Sequence, residues 1–121
     1  MTTDCFHSVS DSWFHGWEFA GNPTVVPGHF LAEVAGAIAR LSLDPSEGLR
    51  AIGTVDRDPL ISLFAVDEQL AFQSAHLAST LRLKGSDAIY VALAQQLEIP
   101  LVTWDNELLQ RAGQSLVLGL S

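Results

Sequence analysis

Residues 85–108, GSDAIYVALAQQLEIPLVTWDNEL, constrain the fold more than any other part of the chain because they predict one helix followed by one buried strand. Ser86 is a candidate helix N-cap, and Asp87 falls in the first turn, where a negative charge suits the exposed amides. Apolar residues recur at helical spacing up to Pro100. Leu101–Thr103 then has the composition of a short buried strand.

This connection from helix to strand fixes where two carboxylates lie. In a crossover between parallel strands the helix runs antiparallel to the strands, so its N-terminus and the carboxyl end of the strand share one edge of the sheet. We therefore expect Asp87 and Asp105 to face one another at that edge. Open α/β sheets bind their ligands at the same edge.

The rest of the chain alternates predicted helices with predicted strands. Spacing and capping signals predict helices over residues 5–20, 28–41, 45–55 and 68–83, and a short helix after Asp105. Predicted strands cover residues 24–26, 60–66, 101–103 and 115–118. This order predicts a three-layer α/β/α fold with a mainly parallel central sheet.

A third acid, Glu33, follows the first predicted strand at the start of a helix, so the same directional argument places it at the edge of Asp87 and Asp105. Carboxylates held close together repel and require protons, cations or wide spacing. A divalent cation satisfies such a cluster, and oxygen ligands without an adjacent histidine or cysteine favour Mg²⁺ or Mn²⁺ over zinc. Such an ion can activate water and stabilise the leaving oxygen in phosphodiester hydrolysis.

Each acid also has a structural interpretation. Asp87 suits a helix start on dipole grounds alone, and Asp105 suits an ordinary cap for the last helix. Glu33 could pair with Arg40 or Arg111. The shared edge favours a site over three separate structural roles.

Other candidate sites are weaker. Four histidines are scattered along the chain: His7, His15, His29 and His76. An apolar stripe with Trp13 and Trp17 is typical of a core or a dimer contact. Ser86 has no evident histidine and aspartate partners for a nucleophile, and no glycine-rich phosphate loop is present.

Composition bounds the class of protein. A chain of 121 residues, 48% hydrophobic and 17% charged, fits one domain with one core. It has neither an apolar run as long as a membrane span nor a signal-peptide pattern, so we expect a cytoplasmic protein.

The only cysteine, Cys5, excludes a disulfide within the chain. A formal net charge of −8 argues against a broadly basic nucleic-acid surface and leaves a bound cation or a basic partner to meet a polyanion.

From about Asp4 to the C-terminus the sequence resembles the PIN-domain family, particularly the VapC-like toxins of bacterial toxin–antitoxin pairs. The most specific segments are VVPGHFLAEVAGAIAR, KGSDAIYVALA and PLVTWDNEL. Glu33, Asp87 and Asp105 fall on the second, third and fourth of the family's four acidic positions. Thr103 matches the family's Thr-x-Asp pattern and would support the site beside Asp105.

The resemblance implies an endoribonuclease that depends on Mg²⁺ or Mn²⁺, acts on structured RNA, is commonly homodimeric and is restrained by a cognate antitoxin protein. It implies that Glu33, Asp87 and Asp105 are the catalytic residues and the metal ligands. One alternative is a catalytically impaired PIN-like module that binds an antitoxin or RNA. Another is an unrelated α/β protein that binds a small molecule, which the missing phosphate loop disfavours.

The sequence departs from the family at its N-terminus. The family's first acid ends an N-terminal strand in the middle of the sheet, whereas residues 4–7 look like the start of the first helix here. We therefore expect a single domain over residues 1–121 that is N-terminally truncated relative to the family, lacking that strand and its acid, and we assign the role to neither Asp4 nor Asp11. A missing central strand exposes unpaired backbone groups, so its neighbours should close up, another chain should fill the gap, or the natural protein should begin further upstream.

Overall fold

The computed structural model describes residues 4–7, 23–103, 110–111 and 117–119. The helices with described bounds are α1 (Phe30–Ser42), α2 (Pro45–Arg57), α3 (Glu68–Leu81) and α4 (Gly85–Leu97). The strands are β1 (Asp4–His7), β2 (Thr24–Pro27), β3 (Ile61–Phe64), β4 (Leu101–Thr103) and β5 (Val117–Gly119). The predicted α/β class with a parallel sheet is confirmed.

All five strands form one sheet in the order β3-β2-β1-β4-β5, and every pairing is parallel. The central strand is β1. Cys5 of β1 lies opposite Val25 of β2 on one side and opposite Leu101 of β4 on the other. The carboxyl ends of all five strands therefore lie along one edge of the sheet.

The expectation that the central strand is missing is wrong, because residues 4–7 form it. Four residues are too few for periodicity to separate a strand from the first turn of a helix. In the central position β1 supplies ladder partners to both neighbours, so β2 and β4 neither close up nor need another chain between them. The remainder of the predicted opening helix, residues 8–20, lies outside the described residues.

Two helix starts are predicted correctly from their caps. The Asp44 carboxylate accepts a hydrogen bond of 3.0 Å from the Ser46 amide at the start of α2, and Asp67 accepts one of 2.8 Å from the Leu70 amide in α3. The lengths are less accurate. Helix α2 extends to Arg57, two residues past its predicted end, and the strand predicted over 60–66 is confined to β3.

The junction between α3 and α4 differs from the prediction. Helix α3 ends at Leu81, followed by Arg82 in the left-handed region with φ of 56°. Lys84, and not Ser86, occupies the N-cap position of α4. Ser86 is already helical, which frees its hydroxyl to reach another element. Asp87 lies in the first turn, as expected.

The core is built around α4. This helix packs on β1, β2 and β4 and is covered by α3, so its residues 90–94 are all buried, with no exposed stripe among them. Fully buried side chains from α1, α4 and β4 meet beneath it, among them Phe30, Val34, Tyr90, Leu93 and Leu101. The first turn of α4 is therefore fixed relative to the sheet edge.

Candidate functional site

Glu33 and the first turn of α4 meet at the carboxyl edge of the sheet. Strand β2 ends at Pro27, and after a two-residue turn α1 begins with Glu33 in its first turn. The turn is tied to β3 by a 2.9 Å hydrogen bond from the Gly28 amide to the Phe64 carbonyl. From α4, the Ser86 hydroxyl donates a hydrogen bond of 2.9 Å to Oε2 of Glu33.

Two further side chains hold the Glu33 carboxylate. The Tyr90 hydroxyl donates a hydrogen bond of 2.5 Å to Oε1. Nε2 of His29 lies 3.4 Å from the same oxygen and 3.1 Å from the Ser86 hydroxyl. The His29 ring also packs edge-on against Tyr90, with centroids 5.0 Å apart. Because Tyr90 is fully buried, it fixes the carboxylate relative to the core.

The ion pairs considered for Glu33 are not formed. Among the residues that the structure describes, the partners of its carboxylate are His29, Ser86 and Tyr90, and not Arg40 or Arg111. The Arg111 guanidinium instead donates a hydrogen bond of 2.6 Å to the Arg82 carbonyl. Glu33 is thus held by neutral donors and by a histidine, with 32% of its side chain exposed at the edge.

Of the other two predicted acids, the structure describes Asp87 but not Asp105. Asp87 is half-buried and directly follows Ser86, whose hydroxyl bonds to Glu33, so the backbone of Asp87 lies next to that contact. Asp105 lies outside the described residues, two positions after β4 ends at Thr103. That Asp105 and Asp87 face one another stays a prediction. Within the described part of the chain, no group of three or more metal-ligating side chains is assembled.

The position of the family's first acid can be examined on the backbone of β1. This strand ends at His7, which lies opposite Thr103. The only acid in the strand, Asp4, pairs with Thr24 at the amino end, roughly 10 Å from His7 by the rise of a strand. The central strand is therefore present without an acid at its carboxyl end. Asp11 lies outside the described residues.

Sequence reasoning missed the side chains that surround Glu33. It treated His29 as scattered, Ser86 as an N-cap and Tyr90 as part of an apolar face. The available signal was spacing: His29 and Glu33 are four residues apart, as are Ser86 and Tyr90, and residues at that spacing share one face of a helix. Both pairs begin at the same edge of the sheet, which brings the two faces together.

The donor chemistry fits a hard divalent cation. Mg²⁺ and Mn²⁺ prefer carboxylate oxygens, and an ionised carboxylate offers about four lone-pair positions. The hydroxyls of Ser86 and Tyr90 take one position on each oxygen of Glu33, which leaves further positions at a partly exposed side chain. Glu33 and Asp87 are the described residues that would hold such an ion, with Asp105 as the predicted third ligand.

Comparison with known proteins identifies the family of the chain. A family model described as the PIN domain matches residues 9–114, a span that includes Glu33, Asp87 and Asp105. A search of the curated proteins returns no match. Because the matched span covers most of the 121 residues, the chain belongs to the PIN domain family.

Proposed function

We propose that this protein is an endoribonuclease dependent on Mg²⁺ or Mn²⁺ and the toxin of a VapC-like toxin–antitoxin pair. PIN domains are generally nucleases that depend on divalent metal ions, and PIN nucleases bind RNA. The observation that carries the proposal is the Glu33 carboxylate, held at the sheet edge by the hydroxyls of Ser86 and Tyr90 from the helix whose first turn carries Asp87.

The chain's own residues have defined tasks in this proposal. Glu33 and Asp87 bind the cation, and Asp105 is expected to join them. The hydroxyls of Ser86 and Tyr90 orient the Glu33 oxygens, which keeps one ligand in place before the ion arrives. A bound divalent ion supplies Lewis acidity that activates water for attack on phosphorus and stabilises the leaving oxygen.

A second candidate function follows from β1. Because this strand ends at His7 and its only acid lies at the opposite end, one of the family's four acidic positions is not supplied there. Loss of a ligand weakens metal binding and turnover, so the protein could act as a PIN-like module that binds an antitoxin or RNA without efficient cleavage. The two functions differ in whether RNA is cut.

Cleavage of a structured RNA in Mn²⁺ or Mg²⁺ separates these functions. We expect the wild-type protein to cut and Asp87→Asn to lose at least about a hundredfold in rate, because a missing ligand removes charge stabilisation from the transition state. Asp56→Asn, an equivalent change at an exposed position in α2, is the matched control and should cut normally. Equal cleavage by wild type and Asp87→Asn contradicts the catalytic assignment, whereas RNA binding without cleavage by either favours the module.

The proposal includes a cognate antitoxin, a homodimer, a single domain over residues 1–121 and a cytoplasmic location. An acidic chain with six Lys and Arg residues suits a basic partner protein. No helix in the described part of the chain is both long and apolar enough to cross a membrane. Coexpression with the product of a small neighbouring gene should suppress cleavage if that product is the antitoxin.

A further inference from the structure

Half of the chain's cationic residues meet at one loop beside the candidate site. The chain has six Lys and Arg residues, and Arg82, Lys84 and Arg111 come together where α3 connects to α4. The Arg111 guanidinium donates a 2.6 Å hydrogen bond to the Arg82 carbonyl, which attaches a distant part of the chain to this loop. Lys84 is the N-cap residue of α4, immediately before the turn that carries Asp87.

The loop has a fixed shape. The amides of Arg82 and Leu83 both bond to the Ala78 carbonyl at the end of α3, and the Leu83 side chain is buried with 8% exposed. Arg82 and Lys84 flank this buried anchor, and both are exposed. The loop therefore presents its two cations to solvent on either side of a residue that belongs to the core.

Arg82 and Lys84 differ from a paired arginine of α2 in their electrostatic surroundings. Among the residues that the structure describes, neither Arg82 nor Lys84 forms an ion pair, whereas Arg50 on α2 pairs with Glu47 at 3.0 Å. The chain has 14 acidic residues, so three cations gathered at one loop stand out against a negative surface. Such a local concentration of positive charge attracts an anionic ligand even when the whole protein is acidic.

We propose that Arg82, Lys84 and Arg111, here called the cationic loop surface, bind the phosphate backbone of the RNA that the carboxylate site cleaves. This inference rests on the proposed function, because it assumes that the reacting phosphate lies beside Glu33 and Asp87. Lys84 is three residues, or about one helical turn, before Asp87. Phosphates flanking the reacting one therefore meet cations, which gives an acidic chain a way to hold a polyanion.

The test compares two triple variants of the full chain. One carries Arg82→Gln, Lys84→Gln and Arg111→Gln, and the matched control carries Arg40→Gln, Arg50→Gln and Arg57→Gln on α1 and α2. Both lose three positive charges. Binding of a fluorescein-labelled RNA hairpin with a single-stranded tail is followed by anisotropy in EDTA at several salt concentrations, so that the RNA stays intact.

We expect the cationic loop variant to bind the hairpin on the order of tenfold more weakly, and the control triple to bind within about twofold of wild type. The dependence of log affinity on log salt should also become shallower by about 2, since each single-strand phosphate contact contributes about 0.7 to that slope. Lys84→Gln alone should reduce the slope by about 0.7, which tests the surface if the triple variant fails to fold.

Several outcomes overturn the inference. If both triple variants bind RNA equally weakly, the effect is one of net charge alone. If the cationic loop variant binds RNA as tightly as wild type, the cationic loop surface does not contact RNA. Absence of RNA binding by wild type, or a selective loss of polyglutamate binding by the variant, would also contradict it, the latter in favour of an acidic protein partner. Cleavage is measured separately. If the cationic loop surface binds RNA but the protein does not cut it, the proposed nuclease function is refuted and the RNA-binding surface is retained.

Discussion

Among single residues, Tyr90 links the core to the candidate site most directly. Its ring is fully buried, while its hydroxyl donates to Oε1 of Glu33. We predict that Tyr90→Phe weakens Mn²⁺ binding about tenfold, because groups that orient a metal ligand typically contribute that much to affinity. The ring's packing is retained, so the folded structure should persist.

Isothermal titration with Mn²⁺ measures this effect, and thermal unfolding of the metal-free protein checks the fold. Ser74→Ala is the matched control, since it removes a buried hydroxyl that bonds to the Leu70 carbonyl within α3. A Tyr90→Phe variant that binds Mn²⁺ as tightly as Ser74→Ala would show that the hydroxyl does not position Glu33.

Asp44 makes the stability of the protein depend on pH. Hydrogen bonds from the Ser46 hydroxyl and amide hold the pKa of Asp44 below its ordinary value of 3.8. A pKa lowered by folding contributes stability that is present above the unfolded value and is lost as the pH falls through the folded value. Asp44→Asn keeps a capping side chain but cannot titrate.

We therefore expect the wild-type advantage in free energy of unfolding over Asp44→Asn to stay constant from pH 7 to about 5 and to shrink below about pH 4. Urea denaturation at a series of pH values measures this difference. A difference that persists unchanged to about pH 2 would contradict the assigned hydrogen bonds.

The sequence predicts which acids approach the sheet edge but not how one of them is held. Glu33 and Asp87 each follow from a direction rule, since both lie in first turns at the carboxyl ends of strands. The bonds from Ser86 and Tyr90 to Glu33 span 53 and 57 residues. Local patterns describe Ser86 as a cap and Tyr90 as core, and only the hydrogen bonds between Glu33 of α1 and these two residues of α4 show their second role.

At the scale of elements, the predictions are accurate where several local signals agree. Helices α2 and α3 have 13 and 14 residues and carry capping side chains, so periodicity and local chemistry agree on where they begin. Strand β1 has four residues, and its sequence fits a helix start equally well. Its identity is decided by long-range pairing with β2 and β4, which no local pattern contains.

The contact between α1 and α2 depends on Gly48. A Cβ atom at this position would lie 2.5 Å from the Ala35 carbonyl oxygen, which the backbone of α1 cannot readily move away from. We predict that Gly48→Ala destabilises the protein by about 1–3 kcal/mol, because overpacking outweighs the better helix propensity of alanine. Gly53→Ala is the control, since its Cβ meets only the flexible Arg57 guanidinium at 3.1 Å.

Urea denaturation of both variants tests this packing. Gly53→Ala should be neutral or more stable by up to about 1 kcal/mol. If Gly48→Ala stabilises the protein as much as Gly53→Ala does, the close approach of α1 and α2 is incorrect.

At the scale of the whole molecule, β1 joins the two halves of the sheet. It separates β2 and β3 from β4 and β5, so opening it separates one half from the other. We predict that the amides of β1 that bond within the sheet exchange with solvent only at a free energy near that of global unfolding, as central strands generally do. Native-state hydrogen exchange measures this, and rapid exchange in β1 at the rate of an unstructured peptide would contradict the strand order.

The most direct measurement of the central claim is the anomalous diffraction of a crystal soaked in Mn²⁺. The account predicts a peak at the carboxyl edge of the sheet, about 2.1 Å from carboxylate oxygens of Glu33 and Asp87, with Asp105 beside it. A manganese ion bound elsewhere, or carboxylates of Glu33 and Asp87 that point away from one another in the loaded crystal, would contradict it.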